Sequence, residues 1–240
     1  MWTGWWKPWG KAVADGCFVT GTDTGVGKTL VAGALLLRVA RAGLRTGALK
    51  PVAAGAFRQG DQWVNEDGLE LARLSSADQS YEEVNPVVLE AAIAPHIAAA
   101  QQDRPLLLDE LVGAARRVTE RDDVDFVVVE GAGGWLVPLN HHETLADLAA
   151  TLGLPVVLVV GMKLGCLSHA MLTVHAINTA GVRLGGWVAS CIDPDMDVLQ
   201  ENLATLRECM PGPCLGVVEH LAEPTAEAAA SFIDVGALLK

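Results

Sequence analysis

Long hydrophobic runs are missing from this 240-residue chain, although 51% of its residues are apolar. The longest, around Leu154–Met162, is about half of what a membrane-spanning helix needs and suits a buried strand. Positive charge is scarce too: 17 Lys and Arg stand against 29 Asp and Glu, a net charge of −12. Nucleic acid is therefore not an expected partner, because phosphate backbones are gripped by a basic face. No membrane partner is expected either. The five cysteines (17, 166, 191, 209 and 214) are odd in number and lack paired metal-ligand spacing. Cys17, Cys191 and Cys214 fall in or beside predicted strands and read as buried, reduced thiols, which points to a reducing compartment, the cytoplasm. Aromatic residues make up only 5%, and Trp2, Trp5, Trp6 and Trp9 precede any strand signal. Residues 1–16 have no continuous apolar centre of a signal peptide and read as a flexible, tryptophan-rich leader. Residues 17–240 then form one domain with room for a substantial core.

What is present begins with Thr20-Gly21-Thr22-Asp23-Thr24-Gly25-Val26-Gly27-Lys28-Thr29. The apolar run Cys17-Phe18-Val19 leads into it, and an apolar-periodic stretch from Leu30 leaves it. Strand, glycine-rich loop, Gly-Lys-Thr and helix form the layout of a P-loop. The glycines let backbone N–H groups turn inward on phosphates, and the helix N-terminus favours anions. Lys28 is expected on the β- and γ-phosphates and the Thr29 hydroxyl on Mg²⁺. Thr22 stands where the strict pattern has glycine, so the loop is one residue longer than the standard one.

Further along, Leu30–Ala42 reads as a mostly buried helix closed by Gly43. Arg45–Val52 reads as a second strand with Lys50-Pro51 at its carboxyl end, the edge where ligands sit in open α/β sheets. Residues 53–66 read as loop. Asp67 opens a short helix to Leu74, either as its N-cap or as a carboxylate for Mg²⁺. Pro95-His96 precede a helical stretch, and His96 reads as an ordinary partly buried histidine. Leu106–Arg121 reads as an amphipathic helix. The stretch Asp125–Gly134 (DFVVVEGAGG) is an apolar strand ending in Glu130 and a glycine turn. A carboxylate there would be costly without a partner, so Glu130 is expected to complete Mg²⁺ coordination. His141-His142-Glu143 lacks zinc-helix spacing and reads as loop. Strands at Leu154–Val160, Leu184–Ala189 and Cys214–Val218 alternate with helices at Ser168–Ala180 (Ser168 as N-cap) and Asp197–Glu208. A tail helix follows near Ala226–Ile233. The expected fold is α/β: a P-loop NTPase-like, doubly wound, mostly parallel sheet flanked by helices.

Taken together, the chain resembles dethiobiotin synthetase, an enzyme of biotin synthesis. The matching phrases are GTDTGVGKT (21–29), KPVAAG (50–55), Asp67, APH (94–96), VEGAGGWLVPL (129–139), VGMKLGCLSHAMLT (160–173) and GWVAS (186–190). The resemblance implies an ATP- and Mg²⁺-dependent ligase acting on 7,8-diaminopelargonic acid and CO2 or bicarbonate, through a carbamate that takes the γ-phosphoryl group. It implies Lys28 and Lys50 as catalytic residues, and Thr29, Asp67 and Glu130 as Mg²⁺ ligands. Gly25, Val26, Gly27, Lys28, Thr29 and Leu30 would line the nucleotide, with Asp67, Glu130, Gly131, Ala132 and Gly133. Ser190, Cys191, Glu219, His220 and Leu221 would lie toward its base. Ala54 would touch the substrate. The family is a homodimer in which Gly165, Cys166, Leu167 and Ser168 reach the neighbouring subunit's substrate carboxylate. Three positions depart from the family pattern: Ala54 where Ser or Thr is usual, Ser190 where asparagine commonly reads adenine, and Glu219 where proline is frequent.

Two other readings start from the same loop. A related P-loop amide- or ring-forming ligase usually carries a glutaminase domain, for which this chain has no room. A partition-type switch ATPase places a lysine at the start of the phosphate loop, where this chain has Thr20-Gly21-Thr22, and needs a basic or membrane-seeking face.

Overall fold

The structure, a computed structural model, describes residues 14–239. The tryptophans of the expected leader lie outside the described residues. In chain order the elements are β1 (Asp15–Gly21), α1 (Lys28–Arg41), β2 (Thr46–Leu49), β3 (Val52–Ala54), β4 (Phe57–Gln59) and β5 (Gln62–Val64). Then come α2 (Glu66–Leu74), α3 (Tyr81–Val84), β6 (Val87–Leu89), α4 (Pro95–Gln101), α5 (Leu108–Thr119) and β7 (Phe126–Gly134). The remainder is α6 (Leu145–Leu152), β8 (Val156–Gly161), α7 (Cys166–Thr179), β9 (Leu184–Ser190), α8 (Leu199–Cys209), β10 (Cys214–Val218) and α9 (Ala226–Ala229).

Six strands form one parallel sheet in the order β10-β9-β8-β1-β7-β2. The chain leaves β1 toward β2 and β7, then returns to the other side for β8, β9 and β10. The direction of winding therefore reverses at β1, and its carboxyl end is where such sheets open a crevice. The central strands read as continuous apolar runs because both faces are covered: every residue of β8 is buried, as are Phe126–Glu130 of β7. Side chains alternate across the sheet. Val128, with Cys17 and Val19, packs beneath α1 through Val31, Leu35 and Val39. Val127 and Val129, with Phe18, pack beneath α5 and α6 through Leu111, Ala115 and Leu148. A third cluster joins β8 and β9 to α7 and α8 through Leu158, Trp187, Val174 and Leu203. Burying an aliphatic side chain of this size stabilises the fold by about 1.5–3 kcal/mol.

The doubly wound parallel sheet matches the expectation, and most differences lie at element ends. The expected second strand (45–52) stops at Leu49, and Val52–Ala54 pairs instead with β6 in a separate two-stranded sheet. Residues 53–66, expected as loop, contain the end of β3 and the antiparallel hairpin β4–β5. Asp67 is not the cap of α2: Asn65 is, accepting a hydrogen bond from the Asp67 N–H. Ser168 is not the cap of α7 either, because Gly165 takes that place in the left-handed conformation (φ 95°), which glycine reaches without Cβ strain. His141-His142-Glu143 forms a turn, with Glu143 bonded to Asn140. All five cysteines are unpaired; burial pushes the Cys17 thiol up to about 12, so it is inert. Among the described residues, no helix is long and apolar enough to cross a membrane.

Candidate active site

The register of the sheet assembles the site. Leu49 of β2 lies opposite Val129 of β7, and Val19 of β1 lies opposite Glu130. One residue further along β2, Lys50 therefore stands beside Glu130. Lys50 leaves the ladder because Pro51 fixes φ and has no N–H to continue it. Its own backbone groups are satisfied elsewhere: the N–H donates to Val84 O (2.7 Å) and the carbonyl accepts from Asn85 Nδ2 (2.7 Å). Side-chain alternation then turns Glu130 to the α1 face, where the Thr29 hydroxyl donates to its Oε1 (2.9 Å). Lys28 and Thr29 are the first residues of α1, capped by Gly27 in the left-handed conformation.

These charges are largely dry. Glu130 is fully buried, Lys50 is 3% exposed and Lys28 is 7% exposed. The Lys50 ammonium donates to Glu130 Oε1 (2.5 Å), Asp67 Oδ2 (2.8 Å) and the Gly131 carbonyl (3.3 Å), which uses all three of its N–H groups. Burial alone would pull Lys50 down, but the charges of Glu130 and Asp67 outweigh it and hold Lys50 above the ordinary lysine value. Burial pushes the Glu130 carboxyl up, against the pull of Lys50. Burial opposes ionisation of Asp67 as well, yet the charge and hydrogen bond of Lys50 keep it below its usual range. Lys28 has no such anchor. Its Nζ donates to the Asp23 carbonyl (3.0 Å), and burial lowers it to about 8.

A cavity of about 810 Å³ opens over this corner. Of the residues expected at the nucleotide and substrate, it is lined by Gly25, Gly27, Lys28, Thr29, Leu30, Lys50, Ala54, Asp67, Glu130, Ala132 and Gly133. Val26 points into the core, and Gly131 offers its carbonyl to Lys50. Gly165–Ser168, Ser190, Cys191, Glu219, His220 and Leu221 do not line the cavity. They lie along the same carboxyl edge of the sheet, at the last residue of β9 and in the segments after β8, β9 and β10. There the Ser190 hydroxyl lies so near Gly27 that a Cβ on that residue would stand 2.9 Å from it. The Cys191 thiol is raised by burial and by the charge of Glu219.

The corner fits a magnesium ion. Glu130 Oε2 is a buried acceptor with no hydrogen-bond partner, and the Thr29 hydroxyl and Asp67 carboxylate are hard oxygen donors around the same ammonium. Among the described residues no cluster of three or more His, Cys, Asp or Glu could hold a metal. Two carboxylates and a hydroxyl leave room for water and phosphate oxygens, the ligands that magnesium keeps.

Sequence reasoning passed over several residues that shape this site. Lys163 pairs with Asp23 (3.0 Å) and ties the loop after β8 to the phosphate loop. Asn65 caps the helix carrying Asp67, a position marked in the sequence by Asn before Glu-Asp. Ser80-Tyr81-Glu82-Glu83 carries the Ser-x-x-Glu signature of a capping box, which the structure shows in α3, next to the Asn85 that holds Lys50. The cavity wall at Ala92–Pro95 and Val137–Pro138 had no signal beyond the Ala-Pro-His and VEGAGGWLVPL phrases, neither of which marked these residues as wall.

Comparison with known proteins gives both sequence relatives and a fold neighbour. The family model described as an AAA domain matches residues 15–228. The ATP-dependent dethiobiotin synthetase of Cellvibrio japonicus (strain Ueda107) is 55% identical over 222 residues, covering 92% of this chain and 96% of that protein. The protein of the same name from Pseudomonas paraeruginosa (strain DSM 24068 / PA7) is 50% identical over 218 residues, covering 91% and 95%. Among solved structures, the MinC:MinD cell division protein complex of Aquifex aeolicus matches with a TM-score of 0.54 at 12% identity, over 91% of this chain and 86% of that chain. That likeness is one of fold alone.

Proposed function

The chain belongs to the ATP-dependent dethiobiotin synthetase family, and from that premise we propose how its own residues carry the reaction. The observation that supports the proposal is the convergence of five residues on one cavity: strand register sets Lys50 beside Glu130, and the starts of α1 and α2 supply Lys28, Thr29 and Asp67.

One amine of 7,8-diaminopelargonic acid adds to CO2 and loses a proton, giving a carbamate. The carbamate oxygen attacks the γ-phosphorus of ATP, and ADP leaves. The second amine then attacks the carbamoyl carbon and loses a proton, the C–O bond to phosphate breaks, and phosphate departs as the cyclic urea closes. The difficulty is the meeting of a carbamate anion and a triphosphate, so charge stabilisation is the main demand on the protein. Lys28 leaves the Asp23 carbonyl to neutralise the moving phosphoryl group, and the loop N–H groups at the start of α1 hold the phosphates. Lys50, kept cationic by two carboxylates, faces the carbamate. Magnesium, held by Thr29, Asp67 and Glu130 when bound, supplies further positive charge to the phosphate oxygens. The small apolar wall of Ala53, Ala54, Ala92 and Ile93 suits the aliphatic stem of the diamine.

The proposal includes a homodimer. Gly165–Ser168 carries the family's substrate-binding phrase but does not line this chain's own cavity, so it is assigned to the partner's substrate. Leu164, in the turn before α7, is 97% exposed, and Met171 and Leu172 are exposed on α7 itself, apolar surface that a second copy would cover. A fully active monomer in sedimentation would remove this part. The reaction itself is tested with ATP, diaminopelargonic acid and ¹³C-bicarbonate. Label is expected in the carbonyl of a cyclic urea, one per ADP. ATP hydrolysis that proceeds without the diamine, and leaves the label in bicarbonate, would contradict it.

A further inference from the structure

Behind the cavity wall the single tyrosine of the chain occupies a position that the reaction has not yet used. Tyr81 opens the one-turn helix α3, which is held by a capping box between Ser80 and Glu83. Its phenol accepts from the Asn65 N–H (2.8 Å) and donates to Asn85 Oδ1 (3.0 Å). Both roles of the hydroxyl are taken, and both partners are nearly buried, Asn65 at 7% and Asn85 at 2% exposure.

Each partner then reaches one of the charged residues. Asn85 Nδ2 donates to the Lys50 carbonyl (2.7 Å). Asn65 Oδ1 accepts from the Asp67 N–H (3.0 Å), and its Nδ2 donates to the carbonyls of Ala54 and Gly55 (3.3 Å each). The Lys50–Asp67 bond (2.8 Å) closes the circuit. Lys50, Asn85, Tyr81, Asn65 and Asp67 thus form one ring of hydrogen bonds, with Tyr81 opposite the ion pair. The ring is tightly enclosed: a Cβ on Gly68 would stand 2.7 Å from Asn85 Oδ1. Register brings Lys50 beside Glu130, but Lys50 has left the β2 ladder and Asp67 sits in the first turn of α2, so the sheet alone does not set the distance between them. Their separation depends on how α2 and α3 are tied together: Leu71 and Val84 share one apolar cluster, and the phenol is the polar tie beside them. Burial also raises the Tyr81 phenol, so it stays protonated and keeps its donor role.

We propose that Tyr81 is a positioning residue for the reaction: it touches no substrate and acts by holding Lys50 and Asp67 at the spacing that aims the Lys50 ammonium. This rests on the assignment of Lys50 to the carbamate. Tyr81→Phe keeps the ring and removes both hydrogen bonds, leaving two buried groups unpaired. Turnover of the variant, measured well below its unfolding midpoint, is expected to fall by about tenfold with KM for ATP within twofold. A purely structural tyrosine would lower the midpoint and leave the turnover of the folded protein unchanged. The second measurement is the double variant Tyr81→Phe, Lys50→Met, followed by residual single-turnover ADP formation. Loss of the aiming residue should cost nothing further once the aimed ammonium is gone. Unchanged turnover in Tyr81→Phe, or the same tenfold loss in the Lys50→Met background, overturns the inference. If Lys50→Met alone keeps full turnover, it is the assignment of Lys50 that fails, and the two failures are thereby separated.

Discussion

The carboxyl edge of the sheet has two halves, built on different principles. Around β1, β2 and β7, three charged side chains are almost wholly removed from water, and each is placed by register or by a helix N-terminus. Around β8, β9 and β10, the corresponding residues are small, polar or half exposed; Lys163 there reaches back to Asp23 of the phosphate loop in a pair that is 38% and 47% exposed. The first half concentrates charge where the dielectric is low and geometry is fixed. The second presents hydroxyls, backbone groups and an uncovered apolar helix face. On the function proposed above, chemistry belongs to the first half, and fine recognition and assembly to the second.

The largest difference is expected in stability. Lys50→Met leaves the fully buried Glu130 without its partner, and loss of one member of a buried pair costs about 3–5 kcal/mol. Lys163→Ala breaks an exposed pair and should cost less than about 1 kcal/mol. Urea midpoints decide; equal losses would erase the distinction between the halves.

A smaller effect is expected from pH. Lys28, lowered by burial from 10.5 to about 8, gives up its proton in the folded chain while the unfolded chain still holds one. Between about pH 8 and 10.5 the unfolded state binds more protons, so the contribution of Lys28 to stability rises with pH. Affinity for a triphosphate moves the other way, because binding needs the charge. The dissociation constant for ATP should rise by up to about tenfold per pH unit above 8, with proton uptake on binding. Calorimetry in buffers of different ionisation enthalpy measures both. In Lys28→Arg the uptake should vanish, since an arginine stays protonated throughout this range.

The smallest effect belongs to the second half. A serine hydroxyl at 190 offers less than an asparagine amide to a nucleotide base. ATP is expected to be used with other triphosphates only modestly behind, and Ser190→Asn should shift kcat/KM for ATP over GTP and CTP by no more than about tenfold. A native preference above about a thousandfold, unchanged in the variant, would mean that the base is read elsewhere.

The same contrast governs what was legible in the sequence. The P-loop and Glu130 could be read directly, because glycines beside Lys28 and a carboxylate ending an apolar strand are costly unless used. Lys50 was legible through Pro51, although the strand break that frees it was not. The hairpin β4–β5 and strands β3 and β6 escaped because three-residue strands carry no periodicity. Asp67 was legible as a carboxylate at a helix start, but the cap itself is Asn65. The ring through Tyr81 has no sequence signature as a whole, since its members lie up to 35 residues apart and meet only through tertiary bonds.

The claim that charge in the first half performs the chemistry is tested most directly at Lys50. Nucleotide affinity and single-turnover ADP formation are measured side by side in Lys50→Met, well below its unfolding midpoint, with Mg²⁺, diamine and bicarbonate present. ATP should bind within about threefold of the parent while the rate falls by about a hundredfold or more, because the lost charge faces the carbamate and not the resting nucleotide. Lost affinity with an unchanged rate would contradict the account, and would make Lys50 a nucleotide-binding residue.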